Sequence, residues 1–271
     1  MAHEWFDHFP QNEFGCGELL SLTHPDLIRE CHCQLIGGGA DAVVTNTFGA
    51  TSLIMKEYGA EEKVQEANRA SARFALEACA QTGAKVGAVG SLGPTTTLLT
   101  LSQIPVSVVE QAYFEQALAL FEGGIRVFYI EGCQDPLNGC AALTALTRLE
   151  DRVATPVQKA VTARVVDNGQ MLFGTSLDDF WEVVRPFSPQ ALGAIGRFDD
   201  VRDAIRSLST LPEARLAAMV DIFAVCFPEG WIESPESLRN PFEMTMTYGS
   251  WALASSLNQT TFAHLWNSGM K

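Results

Sequence analysis

The sequence predicts a (β/α)8 barrel whose first strand is weak or missing, and three observations point to it. The 271 residues suit one such barrel, typically about 250 residues long, better than a single open sheet. From Asp41 onward, short apolar runs alternate with longer helical patterns, giving about seven strand–helix units. Each apolar run gives way to polar residues, as in GGGADAVVTNTFGAT (residues 37–51). There the glycines end a helix and Asp41 to Thr45 read as a short buried strand. Asn46, Thr47, Phe48 and Gly49 then lead into a loop. Barrels carry their working residues at such strand C-terminal ends.

Taken in order, residues 1–16 are aromatic and polar, with Pro10 and Gly15 as breakers and no clear strand. Residues 1–20 therefore read as an atypical N-terminal segment of a single domain spanning 1–271. Residues 21–37 read as a helix, with Thr23 as N-cap and Pro25 in its first turn. Leu27, Cys31 and Leu35 recur at i, i+4 and i+8, which predicts a buried face with Cys31 in the core and His32 beside it. Cys31-His32-Cys33 has the composition of a metal tripod, but consecutive helical residues point about 100° apart. Residues 52–82 continue as helix, interrupted at Gly59. Residues 84–90 form the next strand, and Ser91 to Thr97 its loop. Residues 106–123 are helical, with Val109, Ala112, Leu118 and Phe121 apolar. The cleanest strand, 125–130, closes on Glu131-Gly132-Cys133-Gln134-Asp135, and 138–150 form an Ala/Leu helix. Strand 157–166 leads through Asp167, Asn168 and Gly169 to a helix capped near Ser176. Asp178 and Asp179 in that helix's first turn suit its dipole. Strand 191–195 ends at Gly196-Arg197, helix 200–208 and strand 216–225 follow, and 251–255 supply an eighth strand before a short last helix.

A net charge of −14 argues against nucleic acid and anionic membrane as partners. Seven cysteines, an odd number on a long chain rich in core hydrophobes, predict reduced thiols in a cytoplasm. The start MAHEWFDHFP has no basic region followed by an apolar stretch, so no signal peptide is expected. Residues 86–109 lack charge, but Gly, Pro, Ser and Thr break them up, and no membrane span is expected there.

The strand ends supply the candidate substrate-binding residues: Asn46, Thr47, Ser91, Glu131, Arg164 and Arg197. A carboxylate at the tip of a barrel strand has no packing role, which singles out Glu131. Two guanidinium groups at one mouth suit a carboxylate or phosphate, and equally suit pairing with Glu131, Asp167, Asp199 or Asp200 in an acidic protein. Asn46 and Thr47 equally suit helix capping. The glycine-containing loop from Ser91 to Thr95 either presents N–H groups to an oxyanion or simply shapes a turn. The mixed charges predict a zwitterionic or carboxylated small molecule. Cys16, Cys133 and Cys226 also fall near the expected mouth. Zn–S bonds of about 2.3 Å need close convergence, which strands on nearly opposite sides deny, so buried thiols are expected.

Several of these segments share a wider pattern. HPDLIRECHCQLIGGGADAVVTNTFGAT, then KEYGAEEKVQEANRASARFALEA, the loop VGSLGPT, the strand end Tyr129-Ile130-Glu131, and Asp167-Asn168-Gly169 through Gly174 resemble the homocysteine S-methyltransferase family. That family includes the homocysteine domain of cobalamin-dependent methionine synthase. The resemblance is specific over residues 25–174; beyond them only the order of elements agrees. It implies a barrel, a zinc ion held by three cysteines, a homocysteine-like thiol acceptor, and a methyl donor such as methylcobalamin, betaine or S-methylmethionine. It also implies that Glu131 holds the substrate's ammonium group. The departures fall on the chemistry. The zinc-ligand positions carry Gly196, Leu257 and Asn258, and the D-G-A-M-G segment of the first strand finds its nearest substitute in Asn12 to Cys16. Gly, Leu and Asn provide no thiolate. The expectation is therefore methyl transfer without zinc, with methylcobalamin carried by a corrinoid partner protein. The alternative is a non-catalytic homologue that serves as a binding or scaffold subunit of a methyltransferase complex.

Overall fold

The computed structural model describes residues 15–83, 85–166, 169–197, 199–201 and 203–204, and the backbone of 216–220 and 252–253. Six parallel strands pair in the order of the chain: β1 (Ala42–Val44), β2 (Gly87–Leu92), β3 (Val127–Cys133), β4 (Gln158–Arg164), β5 (Ala191–Gly196) and β6 (Leu216–Val220). The connecting helices are α1 (Leu20–Thr23), α2 (Pro25–Gly37), α3 (Ser52–Glu57), α4 (Val64–Thr82), α5 (Val106–Glu122), α6 (Pro136–Val153) and α7 (Leu177–Val184). Packing runs from α2 to α4, α5, α6 and α7 in succession, so the helices share one face of the sheet. Sequential strand order with helices on one side is the winding of a barrel wall, whereas a doubly wound sheet has helices on both faces.

The alternation of side chains fixes the two faces. Val43, Phe128, Ile130, Val161, Ala163, Leu192 and Ala194 point outward and join Leu120, Leu146 and Phe180 of the helices in the main core. Ala42, Val44, Val89 and Tyr129 point the other way and form a second cluster, flanked by Val127, Ala160 and Ile195. Residues from β1 to β5 converge there on the concave side of a sheet curled into a half-barrel.

Local chemistry sets the element ends. Thr51 and Ser176 cap α3 and α7 by accepting hydrogen bonds from Ile54 N and Asp179 N. The long helical pattern of residues 52–82 breaks at Gly59, whose φ of +64° is left-handed, and resumes as α4. Among the described residues no helix is long and apolar enough to cross a membrane.

Two expectations are corrected. The buried face of α2 is Ile28, His32 and Ile36, one residue on from the sequence reading, and Cys31 is exposed. The Val44 carbonyl decides the register, because His32 Nε2 hydrogen-bonds it at 3.1 Å. Burial holds the His32 imidazole below its ordinary pKa. The eighth strand exists as β7 (Ala252–Leu253), but it pairs antiparallel with β1 instead of continuing the parallel barrel. An open strand edge offers N–H and C=O groups that either direction satisfies. The region expected to hold the weak first strand lies mainly in residues 1–14, outside the described residues.

Candidate functional site

β3 builds the site. Val127, Tyr129 and Glu131 follow the two-residue period on the concave face. Gly132 then takes φ +68°, and the pairing with β4 shifts register between Ile130 and Cys133. This is a β-bulge, and it inverts the alternation beyond it. Cys133 consequently faces the helices, where its Sγ would lie 3.3 Å from a Cβ placed at Gly139. The expectation that Cys133 sits near the mouth is thereby corrected. Burial drives its thiol pKa far upward.

Glu131 is 2 % exposed, and its Oε2 accepts a hydrogen bond from Ser91 Oγ at 3.0 Å. Burial pushes its carboxyl pKa up to about 7, and the Ser91 bond pulls in the opposite direction. Ser91 is fully buried within a lattice of its own. Its N–H donates to Thr45 Oγ1 at 3.0 Å, and its carbonyl accepts from Thr47 Oγ1 at 2.9 Å and Gln116 Nε2 at 3.3 Å. Thr45 and Thr47 share a hydroxyl hydrogen bond of 2.7 Å. Below Glu131, Tyr129 OH meets Thr162 Oγ1 at 2.9 Å, and the Gly132 N–H donates to the same oxygen at 3.0 Å. The site is thus a buried carboxylate on a floor of hydroxyls.

The six candidate residues separate on this geometry. Ser91, Thr47 and Glu131 form one connected group. Arg164 is the last residue of β4, at the same strand end, in register with Ile195. Alternation from Ala160 and Thr162 places it on the concave face. Asn46 is committed elsewhere: its amide donates to the Gly17 carbonyl at 2.8 Å and to Ser21 Oγ at 3.3 Å, tying the N-terminal turn to β1. Arg197 donates to Asp200 Oδ2 at 2.7 Å, the acidic pairing that its sequence neighbourhood also allowed. Cys16 is buried in a separate cluster with Leu19 and Met55, and burial raises its pKa to about 12. Cys226, Leu257 and Asn258 lie outside the described residues.

Sequence reading missed Thr45, Gln116, Tyr129 and Thr162. Gln116 had a signal, since it is a polar residue in the apolar stretch of α5 and is fully buried. Tyr129 and Thr162 had none, because both blend into strands.

Gly196 ends β5 at one of the positions where the resemblance implies a zinc ligand. It offers no donor side chain, and a Cβ there would meet the Val165 carbonyl oxygen at 2.5 Å and Val165 Cγ2 at 3.2 Å. A cysteine would not enter without displacing backbone, so this part of the donor set does not fit zinc. Among the described residues no group of three or more His, Cys, Asp or Glu side chains could hold a metal ion.

A parallel sheet curled into a half-barrel, with helices on its outer face and a buried carboxylate at its strand C-terminal end, defines a barrel-type α/β protein. A family model described as homocysteine S-methyltransferase matches residues 1–260, and the chain belongs to that family. Methionine synthase of Mycobacterium tuberculosis is 30 % identical over 182 residues, which cover 66 % of this chain and 15 % of that protein. Methionine synthase of Mycobacterium leprae is 31 % identical over 182 residues, with the same coverage. The matched region therefore amounts to 15 % of the length of these relatives. The metallated form of the Escherichia coli homocysteine methyltransferase MmuM superposes with a TM-score of 0.66 at 18 % identity, over 81 % of each chain. Its oxidized form gives 0.64 at 18 % identity over 82 % of this chain and 80 % of that one. At that identity the likeness speaks to the fold.

Proposed function

We propose that this chain is a methyltransferase-type barrel that binds a small zwitterionic or carboxylated substrate at the strand C-terminal face and works without zinc. The observation that carries the reading is the buried Glu131 carboxylate, presented at the end of β3 by Ser91 in a member of a methyl-transfer family. Ionised Glu131 takes the substrate's cationic group in a buried setting that strengthens charge–charge contact. Arg164 at the neighbouring strand end faces its carboxylate. Gly196 supports zinc independence, because neither its chemistry nor its space admits a thiolate.

A methyl donor must reach the same mouth, and the proposed carrier is a corrinoid protein. Leu101, Leu137, Leu172 and Phe173 are 53, 43, 49 and 43 % exposed. All four follow β2, β3 or β4 in the chain and so stand at the strand C-terminal end. Exposed apolar side chains at this end suit a docking protein.

Calorimetric titration with L-homocysteine tests the site. Glu131→Gln is expected to weaken binding about ten- to a hundredfold, the effect of losing one charge-assisted hydrogen bond; unchanged affinity refutes the assignment. Elemental analysis is expected to find no stoichiometric zinc, and about one tightly held ion per chain overturns zinc independence. The second reading, a non-catalytic scaffold subunit, is favoured by Gly196 alone. It requires that Glu131→Gln leave the assembled complex fully functional, whereas changes on the outer helices break assembly.

A further inference from the structure

The lattice around Ser91 uses every polar group the residue has. Its N–H goes to Thr45, its carbonyl receives Thr47 and Gln116, and its hydroxyl is given to Glu131. Gln116 Nε2 also holds the Thr47 carbonyl at 2.6 Å. Ser91 is therefore fixed from β1's trailing loop and from α5 at once, and its hydroxyl is held against one oxygen of Glu131. Resting on the reading that Glu131 receives a substrate's cationic group, we propose that Ser91 is the positioning residue of this site. It pins Oε2, leaves Oε1 to the ligand, and sets the pH at which Glu131 becomes able to bind.

The surroundings leave Ser91 that role. On β3 the neighbouring titratable groups are Tyr129 and Cys133, and burial pushes both upward, so both are neutral near pH 7. β4 contributes the Thr162 hydroxyl and, at its tip, Arg164. β2 and the loop after β1 contribute only the hydroxyls of Ser91, Thr45 and Thr47, α5 the Gln116 amide, and β5 the apolar Ile195. Among the described residues, the side-chain hydrogen bond that Glu131 accepts comes from Ser91. The hydroxyl has one proton to give, and a proton given to a carboxylate oxygen favours the ionised form. Burial opposes it, and the balance stands at about 7.

The test uses the full chain with glutamate labelled at its side-chain carboxyl with carbon-13. The Glu131 resonance is identified by its loss in Glu131→Gln and titrated by NMR. L-homocysteine binding is measured in parallel from pH 6 to 9. In the unaltered protein the carboxyl is expected to titrate near 7. Ser91→Ala and Ser91→Cys, the second nearly isosteric with a weaker donor, should raise that midpoint by about one pH unit. At pH 7 homocysteine should then bind about fivefold more weakly, recovering at high pH. A midpoint that stays put in either folded variant overturns the proposal. If Glu131→Gln binds homocysteine like the unaltered protein, the substrate-site reading fails. The NMR midpoint still decides whether Ser91 governs Glu131.

Discussion

The two faces of the sheet are made of the same strands and behave as different materials. The outward face is closed by Phe128, Ile130, Val161 and Leu192 against the helices, a dry surface whose value lies in its area. The inward face carries a carboxylate and several hydroxyls, and its value lies in direction. One face tolerates no cavity. The other holds a group that folding would stabilise more if it were absent. The main core and the candidate site are therefore written on alternate residues of the same strands.

The comparison breaks first where area is lost. Leu146→Ala, at a fully buried position of α6, should cost about 2–5 kcal/mol in urea unfolding and leave the Glu131 titration midpoint where it is. A shifted midpoint in that variant would show that the faces are coupled. On the inward face, Glu131→Gln should do the reverse. The carboxyl's pKa is raised by folding from 4.5 to about 7, so the folded state binds more protons between those values and stability falls as pH rises through that window. Removing the carboxylate should stabilise the protein at pH 8 by up to about 3 kcal/mol and change little below pH 4.5. Equal stability gains at both pH values would contradict the assignment. Gly132→Ala comes next, at about 1–2 kcal/mol, because φ of +68° strains any side chain although the nearest atom, Ile195 Cγ2, leaves room at 3.5 Å. The smallest effect belongs to helix ends common to both faces. Ser176→Ala removes the bond to Asp179 N and should cost about 1 kcal/mol, read as a lowered melting midpoint with unchanged ligand affinity.

Much of this arrangement was legible in the residues. Apolar runs at 41–45, 84–90 and 125–130 declared strands because parallel strands are buried on both faces, and the structure has them at Ala42–Val44, Gly87–Leu92 and Val127–Cys133, with Ser91 and Glu131 inside the strands and not beyond them. Glu131 declared itself as a charge ending such a run. What sequence could not carry was direction. Whether Asn46 turns toward the mouth or toward Gly17 depends on where the N-terminal turn docks. The register of α2 hung on a single carbonyl, that of Val44, against a periodicity that served either face. The antiparallel β7 reflects the open edge of β1, a property of the assembled sheet that residues 251–255 do not encode.

Under the methyl-transfer function proposed above, the bulge at Gly132 has a chemical consequence. A strand that kept its phase would set Glu131 and Cys133 side by side in the same chamber, and a thiol there would compete with the acceptor and be methylated itself. Turning one backbone angle sends the sulfur through the wall into the helix layer. Among the described residues, the concave face thus keeps its acid and has no cysteine beside it.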